Sequence, residues 1–285
     1  MHEKNPYRDN PPNFMELAES YKWLKPHLIH TGPSSANIDF KDPRSLRELT
    51  YALLWKDFNL RLEIPLDSLT PPVPNRLDYI LCLRDLLECG DDDSYCVVDL
   101  GTGASCIYPL LGCRTFSSWS FIALESDRRL YEYALENIRR NDLLTRINVI
   151  HNTSEDLLPL FVDNQDHHIH AIMCNPPFYS SSKEIAALAS NKELPPFAAC
   201  TGSDAEMITA GGEVGFVTRM LDESAKNQDM KTRVTWYTSL LGRKEDVNVI
   251  ETLCKHRQVN RFKTQMAPKF GSKKKRSHKP AVELL

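Results

Sequence analysis

The chain has 285 residues, 41% hydrophobic and 26% charged, with a net charge of −3. That is an ordinary globular composition, at a length that buries one sizeable core with appendages rather than two equal domains. It holds no apolar run long enough for a membrane span, and Met1-His2-Glu3-Lys4-Asn5-Pro6 has no apolar signal core or small-residue cleavage site, so a protein that stays inside the cell is expected. Residues 1–74 are rich in proline and turn residues around helical stretches over 13–24 and 43–58, the second carrying Leu46, Leu49, Leu53 and Leu54 at helical spacing. They read as a small, mainly helical module appended to a larger domain. From Asn75 onward apolar strands alternate with helices: helix 77–89, strand 95–100, a glycine turn and helix 105–111, strand 120–124, helix 128–141, strand 147–151, helix 155–161 and strand 168–174. A long Ser/Gly/Pro-containing segment then leads to helix 213–225, strand 233–241 and helix 247–255. Repeated βα units of this size predict an α/β domain over 75–258, a doubly wound and mostly parallel sheet that binds ligands beyond the carboxyl ends of its strands.

Residues 259–285 read as a basic tail. Positions 261–285 carry eight Lys or Arg residues against Glu283 alone, including the block Lys273-Lys274-Lys275-Arg276. Such a block is a solvated segment of nuclear-import or nucleic-acid-binding type, and it leaves the main body acidic, so any RNA site must be a local groove. The eight cysteines contain no C-x-x-C pair and sit in apolar segments, as buried reduced thiols do. His167, His168 and His170 run from a loop into a strand, whose neighbouring side chains alternate faces, so no metal site is expected.

Three motifs carry chemistry. Asp99-Leu100-Gly101-Thr102-Gly103-Ala104-Ser105 closes the first strand of the domain. Gly101 and Gly103 permit a tight turn and close backbone approach to a ligand, and Asp99 sets a carboxylate beside that turn. Cys106 stands where dinucleotide enzymes place a third glycine against a pyrophosphate; a phosphate-free cofactor with a cationic sulfonium and an amino group suits this acidic loop better. Glu125 ends the next strand 24 residues after Gly101, near the spacing at which a carboxylate accepts two ribose hydroxyls. Asp156 follows the third strand and either accepts from the cofactor's adenine amine or caps a helix.

The third motif, Asn175-Pro176-Pro177-Phe178, follows the fourth strand directly. A stiff turn explains the prolines but not the asparagine and the aromatic beside them. An exocyclic base amine is a weak nucleophile because its lone pair is delocalised into the ring. If the Asn175 side-chain oxygen and the Pro176 carbonyl accept its two N–H bonds, the lone pair turns toward an electrophilic methyl, while Phe178 offers a stacking face for an unstacked base. The amine loses its proton after transfer, so no strong base is required.

By these residues the chain resembles the methyltransferase-like protein sixteen family, the adenosine N6-methyltransferases of U6 snRNA and mRNA hairpins, and more distantly the bacterial 23S rRNA adenine N6-methyltransferase. The likeness runs over 1–241 through Asn10-Pro11-Pro12-Asn13-Phe14, Asp39-Phe40-Lys41-Asp42-Pro43, Arg76-Leu77-Asp78-Tyr79, the run 99–111, Asn175 to Phe178 and Gly211-Gly212-Glu213. The resemblance implies a Rossmann-like class I methyltransferase fold and S-adenosylmethionine as cofactor. It further implies cofactor contacts at Arg76, Gly101, Ser105, Glu125, Asp156 and Asn175, and RNA contacts at Lys4, Arg8, Lys41 and Arg44 of the amino-terminal module. A monomer in the nucleus, and in the cytoplasm as a second location, goes with it, acting on structured RNA without membrane or metal. Two departures stand out. Asp156 occupies the place of a smaller hydroxyl residue, and the chain turns at Val259 into the basic tail where the family adds an antiparallel strand pair. An incomplete carboxy-terminal sheet edge is therefore expected. Two rival readings remain: a weakly active or inactive RNA-binding regulator, and a protein glutamine methyltransferase, since the same turn can present a side-chain amide.

Overall fold

A computed structural model describes residues 1–88, 94–159, 168–190, 201–259 and 264. Helix α1 (Phe14–Ser20) is capped by the Asn13 side chain and passes into a tight 3₁₀ segment, Lys22–His27. Strands β1 (Leu28–Gly32) and β2 (Ser35–Ile38) then form an antiparallel hairpin, which the sequence pattern did not announce. Helix α2 (Pro43–Phe58) begins where Asp42 accepts from the amides of Arg44 and Ser45 with Pro43 in the first turn, and ends at Asn59 in the left-handed region. Helix α3 (Val73–Leu86) leads to β3 (Cys96–Leu100), α4 (Ile107–Thr115), β4 (Ser120–Glu125), α5 (Arg128–Arg140), β5 (Ile147–His151) and β6 (Ile169–Cys174). Helices α6 (Ser182–Ser190), α7 (Asp204–Met207), α8 (Gly212–Lys226) and α9 (Gln228–Arg233), strand β7 (Val234–Tyr237) and helix α10 (Lys244–His256) complete the described chain.

The five strands β3 to β7 lie in the order β5-β4-β3-β6-β7, and every pairing is parallel. The chain winds outward from β3 through β4 to β5, then returns to the other side of β3 with β6, which puts a topological switch point between β3 and β6. Both faces are covered. On β3, Val97 packs into a core with Leu53, Leu54, Ile80, Leu110 and Phe121, while its neighbour Val98 packs into a second with Ile172, Val217, Met220 and Ile250. Burial on two sides explains the unbroken apolar run of this strand. The first core also takes in Tyr7, Leu17, Leu24 and Ile38, so the amino-terminal helices and hairpin share a hydrophobic interior with the sheet.

Two elements differ from the sequence expectation. Over 155–158 the chain bends rather than forming a helix, held by the Leu157 and Leu158 amides donating to Glu223 Oε2; Pro159 is in a 3₁₀ conformation and residues 160–161 lie outside the described residues. The strand expected over 233–241 is regular only over Val234–Tyr237. The chain nonetheless continues along β6, with Thr238 N donating to the Ile172 carbonyl at 2.7 Å and Leu240 N to that of Cys174 at 3.0 Å. Among the described residues β7 is the outer edge of the sheet. His168 and His170 share a face, engaged with Thr235 Oγ1 and the Cys96 amide, and no group of three His, Cys, Asp or Glu able to hold a metal occurs among the described residues. His167, Cys89, Cys200 and the lysine block of the tail lie outside them.

One buried side chain joins the glycine turn to the linker before α3. Asn137, 0% exposed, accepts from Glu63 N at 2.8 Å and donates to the carbonyls of Glu63 and Ala104 at 2.9 Å each, while Asn141 pairs with both backbone groups of Arg61. The two asparagines thus serve an extended segment as a neighbouring strand would. Asn137→Ala strands three backbone groups and is expected to lower the unfolding free energy by about 2–4 kcal/mol. Urea unfolding beside the solvent-facing control Glu136→Ala checks this; equal midpoints would show that the linker does not depend on Asn137.

Candidate functional site

Gly101 and Gly103 sit at φ 69° and 66°, backbone conformations that a side chain strains. The turn between β3 and α4 is anchored to the end of β4, because the amides of Gly101 and Thr102 both donate to the Leu124 carbonyl, at 2.9 and 3.0 Å. Behind the turn Asp99 is 1% exposed; Thr102 Oγ1 donates to its Oδ2 at 2.7 Å, and Oδ1 has no hydrogen-bond partner among the described residues. Burial pushes this carboxyl up to about 7, with the charge of Glu125 adding to the effect while the Thr102 hydroxyl and Arg76 oppose it. Glu125, 6% exposed, spans the turn: Oε2 accepts from Gly103 N at 2.8 Å and Oε1 from Asp127 N at 2.9 Å. Burial raises its pKa too, against those backbone donors. Arg76 on α3 is 9% exposed, with its guanidinium 5.6 Å from the centre of the Tyr108 ring.

Register brings the other half of the site alongside. Leu100 stands opposite Leu124 on β4 and opposite Cys174 on β6, so the next residues, Gly101, Glu125 and Asn175, emerge at one level from three adjacent strands. Among the described residues no donor bonds the Asn175 side-chain oxygen or the Pro176 carbonyl, while Pro176 itself is buried. The following residues are fixed from two directions. Tyr179 forms a parallel bridge with Ile208, donating to the Met207 carbonyl and accepting from Thr209 N. On the other side Arg243 pairs with Glu184 and donates to the Phe178 carbonyl at 3.5 Å, and Glu184 Oε2 accepts from Ser180 N and Oγ, at 2.7 Å each. The Ser180 amide and hydroxyl, then Arg243, hold the Glu184 carboxyl down at about 2. Glu213, buried at the start of α8, accepts from Gly242 N with both oxygens, and burial pushes it up to about 7.

These groups enclose a cavity of about 110 Å³. Its lining includes Arg76, Gly101, Gly103, Ser105, Glu125, Asn175 and Pro177, all singled out from the sequence, together with Leu69, Pro71, Tyr108, Glu206 and Phe216, which were not. Glu206 carried one legible signal, the capping pattern Ser203-x-x-Glu206 at the start of α7. Asp99 lies behind the turn and Asp156 is exposed on the 152–159 turn; neither lines the cavity. Lys4, Arg8, Lys41 and Arg44 are all exposed, on the amino-terminal segment and around the start of α2.

A family model described as RNA methyltransferase matches residues 1–277. The chain belongs to this RNA methyltransferase family. Among its curated relatives, the RNA N(6)-adenosine-methyltransferase METTL16 of Homo sapiens is 38% identical over 250 residues, covering 86% of this chain and 44% of that protein. The U6 small nuclear RNA (adenine-(43)-N(6))-methyltransferase of Schizosaccharomyces pombe is 36% identical over 239 residues, covering 82% and 60%. The chain spans about half the length of the curated relatives it matches. Of solved structures, the human METTL16 catalytic domain in complex with a MAT2A 3′UTR hairpin superimposes with a TM-score of 0.88 at 33% identity, covering 100% of this chain and 94% of that one. The amino-terminal domain of human METTL16 in complex with SAH gives 0.79 at 31% identity, covering 100% and 97%. The α/β architecture with its parallel five-stranded sheet is the fold of these methyltransferase domains.

The buried acid of this RNA methyltransferase-family site makes stability depend on pH. Asp99 keeps its proton in the folded state up to about pH 7, whereas the unfolded chain releases it near the ordinary 3.8. The folded state therefore binds more protons between these values, and stability falls as pH rises through them. Glu213 acts in the same direction in any variant that retains it. The unfolding midpoint is expected to drop between pH 5 and pH 8, and to drop less in Asp99→Asn, which stays neutral throughout. Equal slopes in the two proteins would show that Asp99 titrates as it does in water.

Proposed function

We propose that this chain transfers a methyl group from S-adenosylmethionine to N6 of adenosine in structured RNA. The observation that carries the reading is the common level of Gly101, Glu125 and Asn175 on adjacent strands, with the two acceptor oxygens of the Asn175-Pro176 turn left without partners among the described residues. Relatives named as RNA N(6)-adenosine and U6 snRNA adenine-N6 methyltransferases, and neighbours solved with an RNA hairpin and with SAH, support it. U6 snRNA and mRNA hairpins are accordingly the first substrates to test.

The residues fit the cofactor. A sulfonium and an ammonium group suit a cavity whose lining carries two carboxylates, Glu125 and Glu206. Gly101 and Gly103 would let the backbone approach the cofactor, Glu125 would accept ribose hydroxyls and Arg76 would hold the carboxylate end, with Ser105 beside the turn. Asp156 would meet the cofactor's adenine amine from the exposed 152–159 turn. When bound, the cofactor supplies an electrophilic methyl. Asn175 and the Pro176 carbonyl accept the two N–H bonds of the adenine amine and turn its lone pair toward the cavity, Pro177 stiffens the turn, and Phe178 stacks on the extruded base. The amine's surplus proton then passes to solvent. Lys4, Arg8, Lys41 and Arg44 provide phosphate contacts that position the RNA. We also retain the division into an RNA-binding part over 1–74, a catalytic part over 75–258 and a basic tail over 259–285, a monomeric state, and a nuclear location with the cytoplasm as second compartment.

Incubation with labelled S-adenosylmethionine and total RNA, followed by nucleoside analysis, is expected to place label in N6-methyladenosine. Label in methylglutamine, or none, would overturn the reading. Asn175→Ala is expected to lower the single-turnover rate about a hundredfold or more and to change cofactor affinity only about threefold or less, because the lost bonds serve mainly the transition state. Near wild-type turnover in that variant would remove Asn175 from the mechanism.

A further inference from the structure

Glu206 lies on α7, outside every strand and glycine turn that frames the site, yet its carboxylate reaches into the cavity. Oε2 is used by the fold: it accepts from Leu69 N at 3.0 Å and from Ser203 N and Oγ at 3.0 and 2.9 Å. Beside it Thr70 N donates to Thr201 Oγ1 at 2.9 Å, so the 201–207 segment is tied to the linker before α3. Oε1 has no donor among the described residues, and it lies 3.4 Å from the point that a Cβ on Gly103 would occupy. Its charge is felt across the turn, where it adds to the rise in the Glu125 pKa. The cavity lining thus holds two carboxylates that both approach Gly103, Glu125 and Glu206, and Arg76 is the single cation in its described lining. A carboxylate held by the fold through one oxygen, with the other aimed unpaired at a partly desolvated cavity, is stabilised by an incoming cation.

We propose that Glu206 is the specificity-determining residue by which the pocket favours a sulfonium methyl donor over the neutral thioether left after transfer. The proposal rests on the cofactor reading above. In the reaction the N6 lone pair forms the new N–C bond as the C–S bond breaks, sulfur keeps that electron pair and becomes neutral, and the surplus proton on N6 leaves to solvent. The attraction of Glu206 for the sulfonium therefore acts on the donor and vanishes with the product, which favours exchange of spent cofactor for fresh. Contacts to the ribose and adenine, unchanged by the reaction, cannot make this distinction.

The test is isothermal titration of the full 285-residue chain with S-adenosylmethionine and, separately, with S-adenosylhomocysteine, in wild type, Glu206→Gln and Thr201→Val. Glutamine keeps an oxygen for the Leu69 and Ser203 donors and removes the charge, leaving a neutral NH2 in place of Oε1. It is expected to weaken S-adenosylmethionine roughly fivefold or more while S-adenosylhomocysteine changes about twofold or less, the size of one partly screened ion pair. Thr201→Val loosens the same segment with the charge intact, and is expected to leave the ratio of the two affinities unchanged. Equal weakening of both ligands by Glu206→Gln, or no weakening of either, would overturn the proposal while leaving the cofactor reading in place. A wild-type chain that binds neither ligand would overturn the cofactor reading and this inference with it.

Discussion

The parallel register of β3 against its two neighbours is the constraint from which the rest of the site follows. Leu100 faces Leu124 on one side and Cys174 on the other, so the first residues past the ladder are Gly101, Glu125 and Asn175. Adjacent strands lie about 4.8 Å apart. A group held by the first two residues and a group held by the third are therefore neighbours without any further device. A slip of one residue in either pairing would turn the side chain at that strand end to the opposite face of the sheet. The apolar side chains that fix the register, Val97 into one core and Val98 into the other, thus also fix the chemistry.

Around that register the molecule uses two kinds of support. The glycine-turn side is sewn to β4: two amides donate to the Leu124 carbonyl, Gly103 N donates to Glu125, and Asn137 holds Ala104 from behind. The Asn175 side is gripped by groups from later in the chain, the Tyr179–Ile208 bridge and the Arg243–Glu184 pair, which lie on segments between and after the sheet strands. The glycine-turn side is thus built into the sheet, whereas the Asn175 side is held by segments that lie outside it.

The same division explains what was legible in the sequence. Strands β3, β4 and β6 showed as short apolar runs ended by glycine, an acid or Asn-Pro, as burial on both faces favours, and α2 showed in its Asp42-Pro43 start. Asn175 and Glu125 were found because they terminate those runs. The β1–β2 hairpin was missed because its short strands leave most of their residues at the surface and so lack a hydrophobic alternation. The helix expected over 155–161 rested on local propensity, and over 155–158 Glu223 on α8 overrides it by capturing two amides. Glu206 was overlooked for a related reason. It joins the cavity through Leu69, 137 residues away, a partnership that no local pattern encodes.

Methyl donor and acceptor are expected to meet at the carboxyl ends of β3, β4 and β6. A crystal structure of this chain with S-adenosylhomocysteine and an RNA hairpin carrying an unpaired adenosine tests it most directly. The thioether sulfur is expected over Gly101 and Glu125, with the adenine N6 about 3 Å from both the Asn175 side-chain oxygen and the Pro176 carbonyl and facing that sulfur. An adenine seated away from the Asn175 turn, or a thioether bound elsewhere than at the glycine turn, would contradict it.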